Sequence, residues 1–280
     1  MMSLCSGRRA AVLLGAVLLS VAGGSCPGAT APLTADEVMK QAVARVQADL
    51  RQDLHTRYGY TKRAVIEDRD SDGQVKERKE KTLLFEAGLG SVQQIKINGK
   101  AISGAALRKE EEAAAQQRKN LIASKSGQRD DNWERFITPD LLTRYQFRLV
   151  ERKPFNGRPA CLITFRPANG KLPVKQLADK LMNQLSGKIW IDEQEFAIAR
   201  VEVALNSEVT LWGGVLGALR KFDYTLERTR LDENVWFNRL STGVFEGRKL
   251  LSSTNVKITA ESSNFHKVAA VASASGAAKR

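Results

Sequence analysis

Histidine and cysteine are scarce in this chain, and their scarcity removes several classes of function at once. Its 280 residues include two histidines and three cysteines. A multi-histidine zinc site or an imidazole-based triad has almost no material in His55 and His266, and each reads as a surface histidine. Cys5 and Cys26 lie in the N-terminal stretch, which leaves Cys161 as the only cysteine inside an expected element and excludes a disulfide framework. Cys161 alternates with Ile163 and Phe165, the setting of a small buried hydrophobe rather than a reactive thiol. Long apolar runs are missing as well. The segment Ala10 to Ala22 is short for a membrane span, and with Arg8-Arg9 before it the segment has the charged start and hydrophobic core of a secretory signal. Small residues follow it, so residues 1–26 are expected to be a signal peptide. Cys26 is a candidate lipidation site, although Gly23 stands where a lipoprotein signal usually has an aliphatic residue.

Carboxylates are plentiful, but none form a recognisable acid/base pair. No enzyme activity, no cofactor and no metal are expected. The stretch Asp68-Arg-Asp-Ser-Asp-Gly-Gln-Val75 starts with the spacing of a calcium loop, with Asp68, Asp70, Asp72 and Gly73 in place. Its last position is Lys79 where a bidentate Glu is required, so the stretch reads as a solvated hairpin turn.

What the chain has in excess is positive charge. Lys and Arg number 44 against 31 Asp and Glu, for a net charge of +13 spread along the whole sequence. Such a surface favours anionic partners. For an exported chain these are an anionic membrane surface or an acidic envelope protein, and not nucleic acid.

Hydrophobic periodicity supplies the architecture. Thr34 and Glu37 have capping-box spacing ahead of Val38, Ala42, Val46 and Leu50, which predicts a helix over 33–54. Two strands are expected around the Asp70 to Gly73 turn, and a third, Val92 to Ile97, ends at Asn98-Gly99. Ser103 opens a charged helix to about Ser124 with a thin apolar face, expected to lie at the rim of the fold or to move. A polar linker follows, and a short helical region from Trp133 to Leu142 is broken by Pro139. Beyond it, Tyr145, Phe147 and Leu149 alternate, Asn156-Gly157 turns the chain, and Cys161, Ile163 and Phe165 return. A helix over about 174–185 is expected next. The run from Ser186 to Val203 then reads as two paired strands, with Ile189, Ile191, Val201 and Val203 on one face. Phe222, Tyr224 and Leu226 alternate in a later strand, with two more around 235–245 and 250–260. The expected total is nine or ten strands and three or four helices in one domain over 33–265, after a linker at 27–32 and before a disordered tail at 266–280.

The segment from Val209 to Leu219 is uncharged and glycine-rich. It reads either as a flap placing Trp212, Val215, Leu216 and Leu219 against a ligand or membrane, with Arg220 and Lys221 at headgroup level, or as a core strand.

Antiparallel strands with one apolar face, interrupted by amphipathic helices, imply an α+β fold that is mainly antiparallel β, a strongly curved open half-barrel with helices plugging its concave face. The order of signal, N-terminal helix, Tyr58/Tyr60 strand, Asp-Gly hairpin, Tyr145-x-Phe147-x-Leu149, Asn156-Gly157-Arg158, Gly187-Lys-Ile-Trp-Ile-Asp192 and late Trp236 resembles the outer-membrane lipoprotein-sorting proteins, the LolA/LolB-like superfamily. The resemblance implies an apolar cavity under a helical lid that holds the acyl chains of lipids or acylated proteins. The candidate cavity or flap residues are Phe147, Ile163, Phe165, Val201, Val203, Trp212, Val215, Leu216, Leu219, Phe222 and Tyr224, with Arg220 and Lys221 as candidate headgroup contacts. The functional expectation is a periplasmic carrier of lipid or lipoprotein, free or tethered through Cys26. The alternative is a protein-binding or sensory module of the cell envelope that has the same fold without lipid cargo.

Overall fold

The computed structural model describes residues 32–52, 57–86, 92–123, 133–211, 217–249 and 252–267. The expected signal, Cys26, His55, the centre of the glycine-rich segment at 212–216 and the tail from 268 lie outside the described residues. The chain divides into two units, residues 1–32 and residues 33–280, and every described helix and strand belongs to the second.

Helix α1 (Ala35–Gln52) begins where the capping box predicts. The Thr34 backbone N–H donates to Glu37 Oε2 at 2.7 Å, and the Glu37 N–H donates to Thr34 Oγ1 at 3.3 Å. Strands β1 (Tyr58–Arg69) and β2 (Val75–Phe85) flank the aspartate turn, followed by β3 (Val92–Ile97) and the short β4 (Lys100–Ala101). At the turn Asp70 Oδ1 accepts the N–H groups of Asp72 and Gln74 at 3.0 and 2.8 Å, and Gly73 takes a φ of 81°. The calcium-like spacing thus serves to turn the backbone.

Helix α2 (Gly104–Ala123) packs on β3 with Ala114 buried, the rim position its thin apolar face implies. The 3-10 turn Trp133–Phe136 and helix α3 (Leu141–Arg144) sit on either side of Pro139. Strands β5 (Tyr145–Arg152), β6 (Ala160–Pro167), β7 (Leu185–Asp192) and β8 (Ile198–Leu205) form a meander, with helix α4 (Leu177–Met182) between β6 and β7. Helix α4 is shorter than the 174–185 expected. Leu185 is drawn into β7 by pairing with Leu205, and Lys175 and Gln176 remain outside the helix, donating their N–H groups to Asp179 Oδ2.

Strand β9 (Val209–Leu211) and the long strands β10 (Gly217–Asp232), β11 (Val235–Lys249) and β12 (Ser252–Lys267) complete the fold. Twelve strands are described where nine or ten are expected. The last strands also outrun their expected ends, because polar and apolar residues alternate past the obvious core. His266, expected in a disordered tail, is on β12 and pairs with Gly59 of β1.

All twelve strands form one antiparallel sheet in the order β4-β3-β2-β1-β12-β11-β10-β8-β7-β6-β5, with β9 also on β10, and the sheet is open. Helix α1 lies on one face. Its Val38, Met39, Ala42 and Val46 pack with Cys161, Ile163, Ile189, Ile191, Ile198 and Val201 into the main core. The opposite face carries a smaller cluster of Ala197, Ala199 and Trp236 with Phe155 and Trp190. Gly187 is required by close approach: a Cβ there would lie 1.9 Å from the Glu202 carbonyl oxygen and 3.0 Å from the Phe165 ring.

Candidate functional site

The face that α1 covers is only partly filled. Beside the core is a cavity of about 400 Å³, walled by the sheet on one side and by helices on the other. Phe147 on β5 and Phe245 on β11 both line it. They are five strand spacings apart, about 24 Å in a flat sheet, so the sheet must curl to bring them to one cavity. The concave side is closed by Met39 of α1, Trp133 and Phe136 of the 3-10 turn, Leu141 of α3, and Ala178, Leu181 and Met182 of α4. Phe136 is 61% exposed and marks the outer edge of this wall.

The polar side-chain atoms of the described wall are already committed, the Tyr224 hydroxyl to Ser241 among them. The Tyr145 hydroxyl donates to the Met182 carbonyl at 2.5 Å, and burial raises its pKa above the ordinary value. The Trp133 indole N–H donates to Asn238 Oδ1 at 3.3 Å. Nothing in the wall asks for water or a polar ligand, and the volume falls within the roughly 300–1,000 Å³ of small-molecule sites.

Two buried arginines hold the helical side in place. Arg228 of β10 and Glu134 of the 3-10 turn are 2.7 Å apart with side chains 2% and 3% exposed. Arg228 also donates to the Trp236 carbonyl at 2.8 Å, and its guanidinium lies 5.8 Å from the Trp133 ring centre. Arg144 at the end of α3 bonds Asp140 and Asp179, each at 2.9 Å, and the Asn183 side chain. The N–H groups of Lys175 and Gln176, followed by Arg144, hold the Asp179 carboxyl below its ordinary pKa. One ion pair thus joins the 3-10 turn to the sheet, and the other joins α3 to α4.

Of the residues singled out from sequence, Phe147, Phe165, Val201, Val203, Phe222 and Tyr224 line the cavity. Ile163 does not; it is fully buried in the adjoining core under α1. Leu219 is on β10 opposite Val209 of β9 and does not line the cavity. Trp212, Val215 and Leu216 fall outside the described residues, and their flanks, 209–211 and 217–219, form an antiparallel pair. Arg220 is exposed, 3.6 Å from Glu208. Lys221 points to the face opposite Phe222 and is 3.2 Å from Glu246 and 3.8 Å from Asp223. The helical wall is not among the residues singled out from sequence. Trp133, Leu141, Leu181 and Met182 carry a short-range apolar signal, but nothing local says that they face β10 and β11.

Burial, with Glu193 Oε1 3.1 Å from the sulfur, pushes the Cys161 thiol up to about 12. Among the described residues no group of three His, Cys, Asp or Glu could hold a metal ion, and no helix is long and apolar enough to cross a membrane.

No protein-family model and no curated protein matches the chain. Solved structures do. A DUF1329 family protein from Desulfovibrio piger is 11% identical, with 82% of this chain and 92% of that one covered and a TM-score of 0.29. A putative outer membrane lipoprotein-sorting protein domain from Vibrio parahaemolyticus is 10% identical over 82% and 93%, with a TM-score of 0.30. A chain of the MucA/MucB complex of Pseudomonas aeruginosa is 11% identical over 84% and 99%, with a TM-score of 0.23. The lipoprotein-sorting superfamily that the sequence resembles is among these neighbours. At such identities and scores the likenesses say nothing of cargo or partner.

Proposed function

We propose that this chain is an exported binder or carrier of acyl lipid or acylated protein, periplasmic or tethered through Cys26, and not an enzyme. The observation that carries the reading is the cavity, whose wall is apolar and whose polar atoms are already paired. Each methylene moved from water into it contributes about 0.8 kcal/mol, so fourteen contribute about 11 kcal/mol, more than the middle of an association cost of roughly 4–15 kcal/mol. Release then requires an acceptor, because the same burial is lost on return to water. Phe147, Phe165, Val201, Val203, Phe222 and Tyr224 make the acyl contacts in this reading, and Trp212, Val215 and Leu216 are proposed to add to them. The N-terminal export pattern and the basic composition support an envelope setting with anionic surfaces nearby.

Native mass spectrometry of the protein purified from an envelope fraction, followed by denaturation in organic solvent, tests this directly. Added non-covalent mass that resolves into acyl lipid is expected. A clean apo mass that resists loading with added lipid would overturn the carrier and favour an envelope protein-binding module on the same sheet.

A further inference from the structure

A cavity with no free polar group cannot hold the polar end of an amphiphile, so that end must lie outside it. Strand register shows where the apolar floor leads. Residues paired across neighbouring strands share a face of the sheet. Tyr224 in the cavity wall pairs with Gly243 of β11, Gly243 with Ile258 of β12, Ile258 with Ile66 of β1, and Ile66 with Lys79 of β2. The neighbouring row runs from Leu226 through Ser241, Ala260 and Ala64 to Lys81. Apart from Ser241 on β11, whose hydroxyl is engaged by Tyr224, the floor therefore continues out of the cavity as apolar residues across β12 and β1 and ends in lysine. A Cβ at Gly243 would lie 2.6 Å from the Phe245 ring, so that ring occupies the space above the glycine and carries the apolar surface over β11.

Lys62 belongs to the same face, opposite Leu83 and diagonal to Lys81, which puts the two about 7–8 Å apart at their bases. Lys79 is held by Glu77 at 2.9 Å, whereas no described carboxylate lies at ion-pair distance from Lys62 or Lys81. The row towards the hairpin tip ends in Asp68 and Glu77, which repel an anion and set the limit of the basic patch on that side. From β10 to β2 is four strand spacings, about 19 Å. One leaflet of a bilayer, half of its hydrocarbon core, is about 15 Å deep. An acyl chain ending in the cavity thus brings its headgroup within reach of the lysine side chains.

We infer that Lys62 and Lys81 form the headgroup site of an anionic amphiphile whose acyl chain lies along this row into the cavity. The inference rests on the lipid-binding reading and names the class of lipid. It also moves the headgroup from Arg220 and Lys221, whose nearest charged neighbours are carboxylates and of which Lys221 is on the other face.

Displacement of Nile red, a neutral dye, from the full exported chain reports on the cavity. Lysophosphatidylglycerol and lysophosphatidylcholine of one chain length are the competitors. The anionic lipid is expected to compete better by on the order of tenfold. Lys62→Ala with Lys81→Ala should abolish that preference while leaving dye and lysophosphatidylcholine affinities unchanged. Lys62→Arg with Lys81→Arg, and Arg220→Ala with Lys221→Ala, should both keep it. No preference in the wild type, or a preference that survives in the double alanine variant, overturns the headgroup site and leaves the lipid reading standing. Failure of the dye and both lipids to bind overturns the lipid reading and the headgroup site together.

Discussion

Arg228 and Glu134 are the most deeply buried of the ion pairs among the described residues. Taking both charges out of water is offset only if each keeps its partner, so removing one leaves the other buried and uncompensated. Glu134→Ala is expected to lower folding stability by about 3–5 kcal/mol, read by urea denaturation, whereas loss below about 1 kcal/mol would show that the pair is not buried in solution. Cys161, with its thiol pushed up to about 12, should resist alkylation at pH 8 in the folded protein and react once denatured. Asp232 is one of the carboxyls that contribute to the acid dependence. Lys267 Nζ at 2.6 Å, the Glu233 N–H at 2.9 Å and the Tyr58 hydroxyl at 3.2 Å hold its carboxyl down to about 2. A carboxyl lowered in the folded state stabilises it above the unfolded pKa and loses that contribution as pH falls, here between about 4 and about 2. Thermal melts across that window should show a steeper loss in the wild type than in Asp232→Asn.

At the scale of elements, the parts with short-range signals are those the sequence makes legible. Helix α1 is announced by Thr34 and Glu37 and by the stripe from Val38 to Leu50, and the β1–β2 turn by Asp70 and Gly73. Thr34→Ala should cost about 1 kcal/mol in thermal or urea unfolding, with no change in dye binding, since Thr34 does not line the cavity. Helix α4 stops short of its expected end because helical periodicity at 174–185 cannot register that Leu185 has a strand partner in Leu205. Likewise Arg144, Glu134 and Arg228 read as ordinary surface charges. The burial of Glu134 and Arg228 depends on β10 meeting the 3-10 turn, and that of Arg144 on α3 meeting α4, contacts between residues remote in sequence that no local pattern encodes.

At the scale of the molecule, the first strand pairs with the last, β1 with β12, and this closure turns two separate apolar patterns into one continuous floor. Charge and burial then act on different parts of a ligand. Nile red affinity should be nearly unchanged between about 0.05 and about 0.5 M salt, whereas the advantage of an anionic over a zwitterionic lipid should shrink, because added salt shortens the screening length from roughly 14 Å to roughly 4 Å. A dye affinity that falls with salt in parallel would contradict an apolar cavity. By itself the sequence determined the class: antiparallel strands with one apolar face, a capped amphipathic helix to cover it, and a basic surface, because alternation, capping and net charge are properties of neighbours along the chain. Only the tertiary structure decided that the face is not completely filled, that helices α1, α3 and α4 wall the remainder, and that the row from Tyr224 ends at Lys79. Sheet curvature and strand order are set by pairing across the whole chain, and a cavity is the space that those pairings leave between elements.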